Sequence, residues 1–97
     1  MGELHQIYPA NVRQAIHLLL RYISNHDKSK IAKKAEDELL NLKSSLGKFI
    51  VKEFNIRSNK RLLQSCRTLY NIDYINSQTA SQIIIKEFWK RLREMRI

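Results

Sequence analysis

Glycine and proline are scarce in this chain of 97 residues, which contains only two glycines and one proline. A β protein uses these residues in its many turns, so their scarcity argues against a sheet. Residues that favour helices, such as Leu, Lys, Arg, Glu, Gln and Ala, are abundant instead. Because 43% of the residues are hydrophobic, we expect one folded domain with a single core over residues 1–97.

Cysteine is equally scarce, and Cys66 alone allows no internal disulfide and favours a cytosolic or nuclear setting. Its position on an apolar helix face indicates a buried, inert thiol. The histidines His5, His17 and His26 lie on separate predicted elements and lack a second ligand at metal spacing. No glycine-rich phosphate loop and no apolar run of roughly 20 residues is present. We therefore expect no enzyme, cofactor, metal, small-molecule substrate or membrane span.

Acidic residues are also few, since 9 Asp and Glu stand against 18 Lys and Arg for a formal net charge of +9. The excess lies toward the C-terminus, where residues 55–97 contain nine basic and three acidic side chains. Such an imbalance favours acidic partners, usually nucleic acid, although solvated basic helix faces also produce it.

Apolar residues recur at helical spacing in four segments. The first segment follows Pro9, which suits the first position of a helix, and the polar stretch Ser24–Ser29 is expected to end it. Its apolar face comprises Val12, Ile16, Leu19, Leu20 and Ile23.

A second, long helix is expected from a cap at Ser29 to about Phe54. Its narrow apolar seam comprises Ile31, Ala35, Leu39, Leu42, Leu46 and Phe49. Gly47, within this helix, marks either a close helix approach or a break.

The other two segments follow polar caps. Asn55, Ser58 or Asn59 is expected to cap the third helix, and Asp73 or Ser77 the fourth. The third apolar face comprises Leu62, Leu63, Cys66, Leu69 and Tyr70. The fourth comprises Ala80, Ile84, Phe88, Leu92 and Met95, with Ile83 and Trp89 beside them. With a short helical turn over residues 2–8, these segments predict an all-α, compact bundle of about four helices.

Two basic stretches are candidates for contacts with nucleic acid. One is FNIRSNKRLLQ, residues 54–64, and the other is WKRLREMR, residues 89–96. The candidate contact residues are Arg57, Lys60, Arg61, Lys90, Arg91 and Arg93. Arg and Lys neutralise phosphates, and an exposed Trp89 would stack on bases. The alternative interpretation is that these cations lie on solvated faces and that Trp89 fills the core. Neither connection between helices resembles the tight turn of a helix-turn-helix.

The stretch HLLLRYI, residues 17–23, covers more of a helix surface than one core-facing stripe requires. Either this helix is buried on two sides, or some of its apolar side chains are exposed or covered by a partner. A protein-interaction module needs only such a surface, and small helical bundles supply one readily.

The segment NIRSNKRLLQ resembles part of the N-terminal domain of STAT transcription factors (signal transducers and activators of transcription). In that domain an Asn-Ile-Arg run is followed by Lys-Arg and then Leu-Gln. The matching residues here are Asn55, Ile56, Arg57, Lys60, Arg61, Leu63 and Gln64. Three further stretches resemble the same domain in order: LHQIY with VRQ, AEDELLNLKSSLGKF, and DYI with KEFWKRL. The tryptophan of the family's first long helix is absent, because Leu19 occupies its place and Tyr22 is the nearest aromatic residue.

This resemblance implies a non-catalytic domain, cytoplasmic and nuclear, that pairs with itself and links dimers of a transcription factor into tetramers on DNA. It assigns self-association to Leu19, Tyr22 and Arg13, with Arg13 as a partly buried charge for which Glu36 or backbone carbonyls are the acceptors. A charged residue at Leu19 or Tyr22 is expected to abolish the dimer and leave the helices intact. A small basic protein that binds nucleic acid is the alternative, and a helical protein of the bacteriocin-immunity type is a third hypothesis.

Overall fold

A computed structural model of the chain describes residues 8–96, and these residues form helices and no strand. Their five α-helices are α1 (Val12–Tyr22), α2 (Asn25–Ala32), α3 (Lys48–Glu53), α4 (Lys60–Tyr70) and α5 (Ser77–Glu94). The predicted all-α class is therefore confirmed. The Cα radius of gyration is 13.2 Å, close to the value of about 13 Å for a compact domain of 100 residues. The turn predicted over residues 2–8 lies outside the described residues, apart from Tyr8.

The start of α1 is set by Asn11 and not by Pro9. The Asn11 side chain accepts a hydrogen bond from the backbone N–H of Gln14 at 2.9 Å, so α1 begins at Val12. The prediction that Pro9 takes the first helical position is wrong. Pro9 is buried instead, and its carbonyl accepts a hydrogen bond of 2.9 Å from the side-chain amide of Asn59. This bond ties the entry of α1 to the entry of α4.

The first helix ends before Ser24–Ser29, as predicted, because α1 stops at Tyr22, but this polar stretch is itself the start of α2. The Ser24 hydroxyl accepts a hydrogen bond from the backbone N–H of Asp27 at 3.1 Å. Asp27 also places a negative charge in the first turn, where the helix dipole favours it. These polar side chains therefore satisfy the free amides of a helix start and do not form a loop. Ser29 lies inside α2, so its predicted role as a cap is also wrong.

The long second helix of the sequence prediction is divided into three helical forms. After α2 ends at Ala32, the chain restarts as a 3-10 helix (Glu36–Leu42), continues as a π-helical turn (Lys43–Gly47) and then becomes α3. The carboxylate of Glu38 accepts a hydrogen bond from the backbone N–H of Ala35 at 2.7 Å and so stabilises the restart. The predicted seam persists through this division, except at Ala35, which is exposed at the break. Its buried or half-buried members are Ile31, Leu39, Leu42, Leu46 and Phe49.

Asparagines cap both later helices. Asn59, one of the three predicted alternatives, caps α4 by accepting a hydrogen bond from the third helical residue at 3.2 Å. Asn76 caps α5 in the same way at 2.8 Å, so neither Asp73 nor Ser77 is the cap. Asn76 has the extended conformation that turns its side chain toward the free amides, whereas Ser77 is already helical.

The central helix is α5, which packs against every other helical segment of residues 8–96. Its buried residues cover more than one stripe, because three consecutive isoleucines lie inside. They are Ala80, Ser81, Ile83, Ile84, Ile85, Phe88 and Leu92. The predicted face of α5 is confirmed except at Met95, which is 48% exposed. The described residues therefore form a compact all-α bundle, as predicted, in which α1 to α4 and three shorter helical segments (Glu36–Leu42, Lys43–Gly47 and Ile56–Ser58) surround α5.

Candidate nucleic-acid interface

A groove of about 720 Å³ has two walls. The π-helical turn and α3 form one wall, and the first turns of α5 form the other. Four cationic side chains line it, and we name this site the basic groove: Lys43, Lys48, Lys52 and Arg57. The other described lining residues are Ser44, Gly47, Val51, Asn55, Ser77, Gln78 and Ser81. None of these described lining residues is acidic, so the groove concentrates positive charge.

Local helix geometry brings the three lysines of the groove to one side. Lys48 and Lys52 are four residues apart in α3 and therefore share a helix face. Lys43 precedes Lys48 by five residues, and the π-helical turn between them has hydrogen bonds in steps of five residues. Side chains five residues apart are therefore rotated less from one another than they would be in a regular α-helix. At 1.5 Å per residue the row spans roughly 13 Å.

Arg57 enters the groove from a separate segment, the 3-10 helix Ile56–Ser58. The preceding residue, Asn55, has a left-handed backbone conformation with φ of 51°, which turns the chain sharply after α3. Asparagine visits this region more readily than most residues because its short side chain can form local hydrogen bonds. Ile56 is fully buried and anchors the segment in the core. The turn and this anchor together place Arg57 opposite the start of α5.

Gly47 lines the groove and is buried against α5. A Cβ atom at this position would lie 3.7 Å from the Ser81 hydroxyl and 3.5 Å from the carbonyl oxygen of Leu42. Ser81 is only 3% exposed, and its hydroxyl donates a hydrogen bond of 2.8 Å to the carbonyl of Gln78. These are ordinary contact distances, so the packing here would also accept a Cβ atom, and the chain remains helical through Gly47. Neither predicted alternative, a close helix approach or a break, is therefore required at this position.

The four cations of the basic groove are exposed and have neither an ion pair nor a side-chain hydrogen bond within residues 8–96. Other lysines differ in this respect. The ammonium group of Lys86 lies 2.8 Å from Glu36, and that of Lys90 lies 3.3 Å from Glu87. Like charges gathered without counter-charges create a positive potential that attracts anions.

The structure divides the six predicted nucleic-acid contacts into two groups. Arg57 lines the basic groove, and Lys60 and Arg61 are exposed in the first turn of α4, which follows directly. The second group, near the opposite end of α5, comprises Lys90, Arg91 and Arg93. At 1.5 Å per residue, roughly 14 Å of helix separates Lys90 from Ser81, the last residue of α5 that lines the groove. The six residues therefore do not form one continuous surface.

Two residues of the second group have partners inside the molecule. Lys90 forms the ion pair described above. The Arg93 guanidinium donates a hydrogen bond of 3.3 Å to the carbonyl of Ala32 and lies 5.0 Å from the centre of the Trp89 ring. Trp89 is half-buried, and its indole N–H donates to the carbonyl of Lys34 at 2.9 Å. Trp89 therefore packs α5 against the end of α2, as the alternative interpretation of the basic stretches predicts.

Leu19 and Tyr22, both assigned to self-association by the STAT resemblance, occupy opposite environments. Leu19 is 0% exposed and lies in the core of this chain, so its side chain is not available to a second copy. The assignment of Leu19 to an interface is corrected accordingly. Tyr22 is 58% exposed, and its ring meets the ring of Phe49 edge-on at a centroid distance of 6.3 Å. Tyr22 thus remains available for contacts with a partner.

Arg13, the third residue assigned to self-association, is exposed on α1. The expectation of a partly buried charge that holds the helices together is therefore wrong. Glu36, one of the acceptors considered for it, instead forms an ion pair of 2.8 Å with Lys86. The hydrogen bond and the positive charge of Lys86 lower the pKa of the Glu36 carboxyl below its ordinary value of 4.5. This ion pair links the 3-10 helix Glu36–Leu42 to α5 at the surface.

Sequence reasoning did not assign the three groove lysines to a binding site. The four-residue spacing of Lys48 and Lys52 is the signal that could have found two of them, because it places both on one helix face. Lys43 offers no such signal, since its alignment depends on a π-helical turn that the residue pattern does not reveal.

Cys66 is fully buried, and its Sγ lies 4.0 Å from the carbonyl oxygen of Ala80. Burial raises the pKa of this thiol to about 12, so it stays protonated at neutral pH. Cys66 is therefore a core residue, as its apolar helix face predicts. Within residues 8–96, no group of three His, Cys, Asp or Glu side chains is placed to hold a metal ion. No helix in that range has the length and apolar character needed to cross a membrane.

The fold and the groove define a small all-α domain with a concentrated positive charge on one surface. The chain belongs to the DUF6794 family, a domain of unknown function, whose match covers residues 8–92. No curated protein and no solved structure matches the chain. These comparisons do not link it to the STAT N-terminal domain, so that resemblance stays a sequence-based prediction.

Proposed function

We propose that this domain is a non-catalytic module that binds the phosphate backbone of nucleic acid in the basic groove. The observation that carries the proposal is the convergence of Lys43, Lys48, Lys52 and Arg57 on one groove whose described lining contains no acid. Each cation that neutralises a phosphate releases condensed counter-ions, which favours binding and makes it sensitive to salt. Contacts of this kind position a protein on nucleic acid without reading its sequence.

Two further cations extend the proposed surface beyond the groove. Lys60 and Arg61 are exposed immediately after the segment that carries Arg57, so a backbone that leaves the groove on that side would meet them next. The net charge of +9 adds a long-range attraction that increases the rate of encounter with a polyanion.

The test is the binding of a labelled oligonucleotide, measured by fluorescence anisotropy over a range of salt concentrations. We expect the double variant Lys48→Gln with Lys52→Gln to bind more weakly and with a smaller salt dependence. The slope of log K against log salt is negative, and its magnitude should decrease by about 1.4 for a single strand or about 1.8 for a duplex. A matched control, Lys30→Gln with Lys33→Gln, removes the same charge from exposed positions near the end of α2 and should retain the slope.

Equal losses in the two double variants would contradict the groove and assign the attraction to net charge alone. If the unchanged protein showed no salt-dependent binding, the function itself would be rejected. Far-ultraviolet circular dichroism of each variant checks that it is folded, which we expect because all four lysines are exposed.

A second candidate function, self-association through the outer face of α1, rests on the exposure of Tyr22 and on the resemblance to the STAT N-terminal domain. In this proposal the domain pairs with itself in the cytoplasm and nucleus and holds neighbouring DNA-bound molecules together by raising their effective concentration. We place it second because a net charge of +9 makes two copies repel each other.

Sedimentation equilibrium at low and high salt separates the two proposals. Salt screens the repulsion between copies and should strengthen an apolar dimer, whereas it should weaken the binding of nucleic acid. Tyr22→Lys should abolish the dimer. Tyr74→Lys, which adds the same charge at a position that is 79% exposed in the loop before α5, should leave it intact. A monomer at every concentration and salt would reject self-association.

A further inference from the structure

A second cationic cavity, of about 370 Å³, lies between α1 and α5. Arg13 and His17 of α1 are four residues apart and share one helix face, while Arg91 comes from the last third of α5. Ile16 completes the described lining. Because ten residues of α5, roughly 15 Å of helix, separate Arg91 from Ser81 of the groove, this cavity is a distinct site and not an extension of the basic groove.

The cavity has no carboxylate of its own among the residues that the structure describes. The side chains of Arg13, His17 and Arg91 have no ion pair or hydrogen bond within residues 8–96. Glu87, one turn before Arg91, lines the adjoining cavity with Arg13. Its Oε2 atom, however, already accepts hydrogen bonds from the Tyr70 hydroxyl at 2.8 Å and from Lys90 at 3.3 Å. Two guanidinium groups therefore line a common space whose described lining contains no carboxylate, and one oxygen of the adjoining Glu87 is already bound by Tyr70 and Lys90.

We propose that this cavity binds a phosphate group, either inorganic phosphate or a terminal phosphate monoester. A guanidinium presents its N–H groups as a planar fork that matches two phosphate oxygens, so Arg13 and Arg91 together can hold one phosphate from two sides. The imidazole of His17 supplies a further donor. Three side chains around a compact space suit a single terminal phosphate, whereas the row of lysines in the groove suits a chain of phosphodiesters. Ile16 offers an apolar wall to the group that carries the phosphate.

The first arm of the test is an NMR titration with inorganic phosphate at constant ionic strength. We expect saturable shifts of the His17 ring and of the Nε–H signals of Arg13 and Arg91. Arg13→Gln and Arg91→Gln should each weaken binding by about tenfold, the loss expected from one charge-assisted contact. Arg57→Gln, the same change of charge in the basic groove, should leave the affinity at His17 unchanged. Both cavity arginines are exposed, so we expect these variants to fold.

The second arm distinguishes the two sources of phosphate. Tighter binding of a 5′-phosphorylated oligonucleotide than of its 5′-hydroxyl form, lost in Arg91→Gln, would support the end of a nucleic-acid strand as the ligand. Shifts with inorganic phosphate alone would support free phosphate. No saturable shift at His17 with either probe, or the same shift in both arginine variants, would overturn the site. The inference does not depend on the basic groove, because a strand with a 5′-hydroxyl end has no terminal phosphate and can test the groove alone.

Discussion

The indole N–H of Trp89 donates a hydrogen bond of 2.9 Å to the backbone carbonyl of Lys34, 55 residues earlier in the chain. Lys34 lies just beyond α2, in the short turn before the 3-10 helix. One turn after Trp89, Arg93 donates to the carbonyl of Ala32, the last residue of α2. Carbonyl groups at the end of a helix lack partners within that helix. The central helix α5 therefore supplies one side chain that binds the last carbonyl of α2 and another that binds a carbonyl in the turn that follows it.

Replacing Trp89 by phenylalanine keeps an aromatic ring but leaves the Lys34 carbonyl without this partner. We expect the free energy of unfolding to fall by about 1–3 kcal/mol. Urea denaturation followed by circular dichroism measures the change, because the variant lacks the only tryptophan for fluorescence. Tyr74→Phe, at an exposed position, is the control and should change stability by less than about 0.5 kcal/mol. A Trp89→Phe variant as stable as the unchanged protein would contradict this role.

Leu19 and Tyr22 lie on the same helix, but their replacement should have different effects. Leu19 is fully buried, so Leu19→Ala should reduce the free energy of unfolding by about 2–5 kcal/mol through lost apolar contacts and a residual cavity. Tyr22→Ala should cost less than about 1 kcal/mol because the side chain is mostly exposed. Thermal unfolding measures both. If Leu19→Ala kept its melting temperature and altered only the oligomeric state, the interface role implied by the STAT resemblance would be restored.

Gly47 occupies a helical position where a methyl group fits. Its φ of −60° and ψ of −46° suit any residue, and the nearest atoms to an added Cβ lie at ordinary contact distances. Gly47→Ala should therefore stabilise the domain by about 0.5–1 kcal/mol through reduced chain entropy in the unfolded state. Gly47→Leu should destabilise it, because a longer side chain meets Ser81 of α5. Calorimetry measures both, and a destabilised alanine variant would show that the helices approach more closely than these distances indicate.

The thiol of Cys66 should be unreactive in the folded protein. Burial disfavours the charged thiolate and raises the pKa from its ordinary value of 9.0 to about 12. Reaction with a disulfide reagent at neutral pH should therefore be slow in the native state and fast in denaturant. Because the folded state favours the protonated thiol, the contribution of Cys66 to the free energy of unfolding is fully present below pH 9.0. It is lost as the pH rises toward about 12. Rapid labelling without denaturant would contradict the buried position.

The choice of helix caps shows where local sequence patterns stop being decisive. Several residues able to cap stand next to each other around Asn59 and Asn76, so composition predicts a helix start within a few residues but does not select the cap. The N-cap is the residue whose backbone is extended or non-helical just before the helix, as at Asn59 and Asn76. The packing of the flanking segments decides which residue has that backbone conformation. The same limit explains α2, whose polar first turn is as typical of a loop as of a capped helix.

By itself, the sequence determined the all-α class, the buried face of α5 and the excess of positive charge, because these follow from residue spacing and composition. Only the tertiary structure decided where that charge is concentrated. The basic groove needs residues 43–57 to pack against the start of α5, and the second cavity needs α1 to meet the other end of that helix. The structure also decided that Leu19 lies inside and Tyr22 outside, since that depends on which faces of α1 contact α4 and α5.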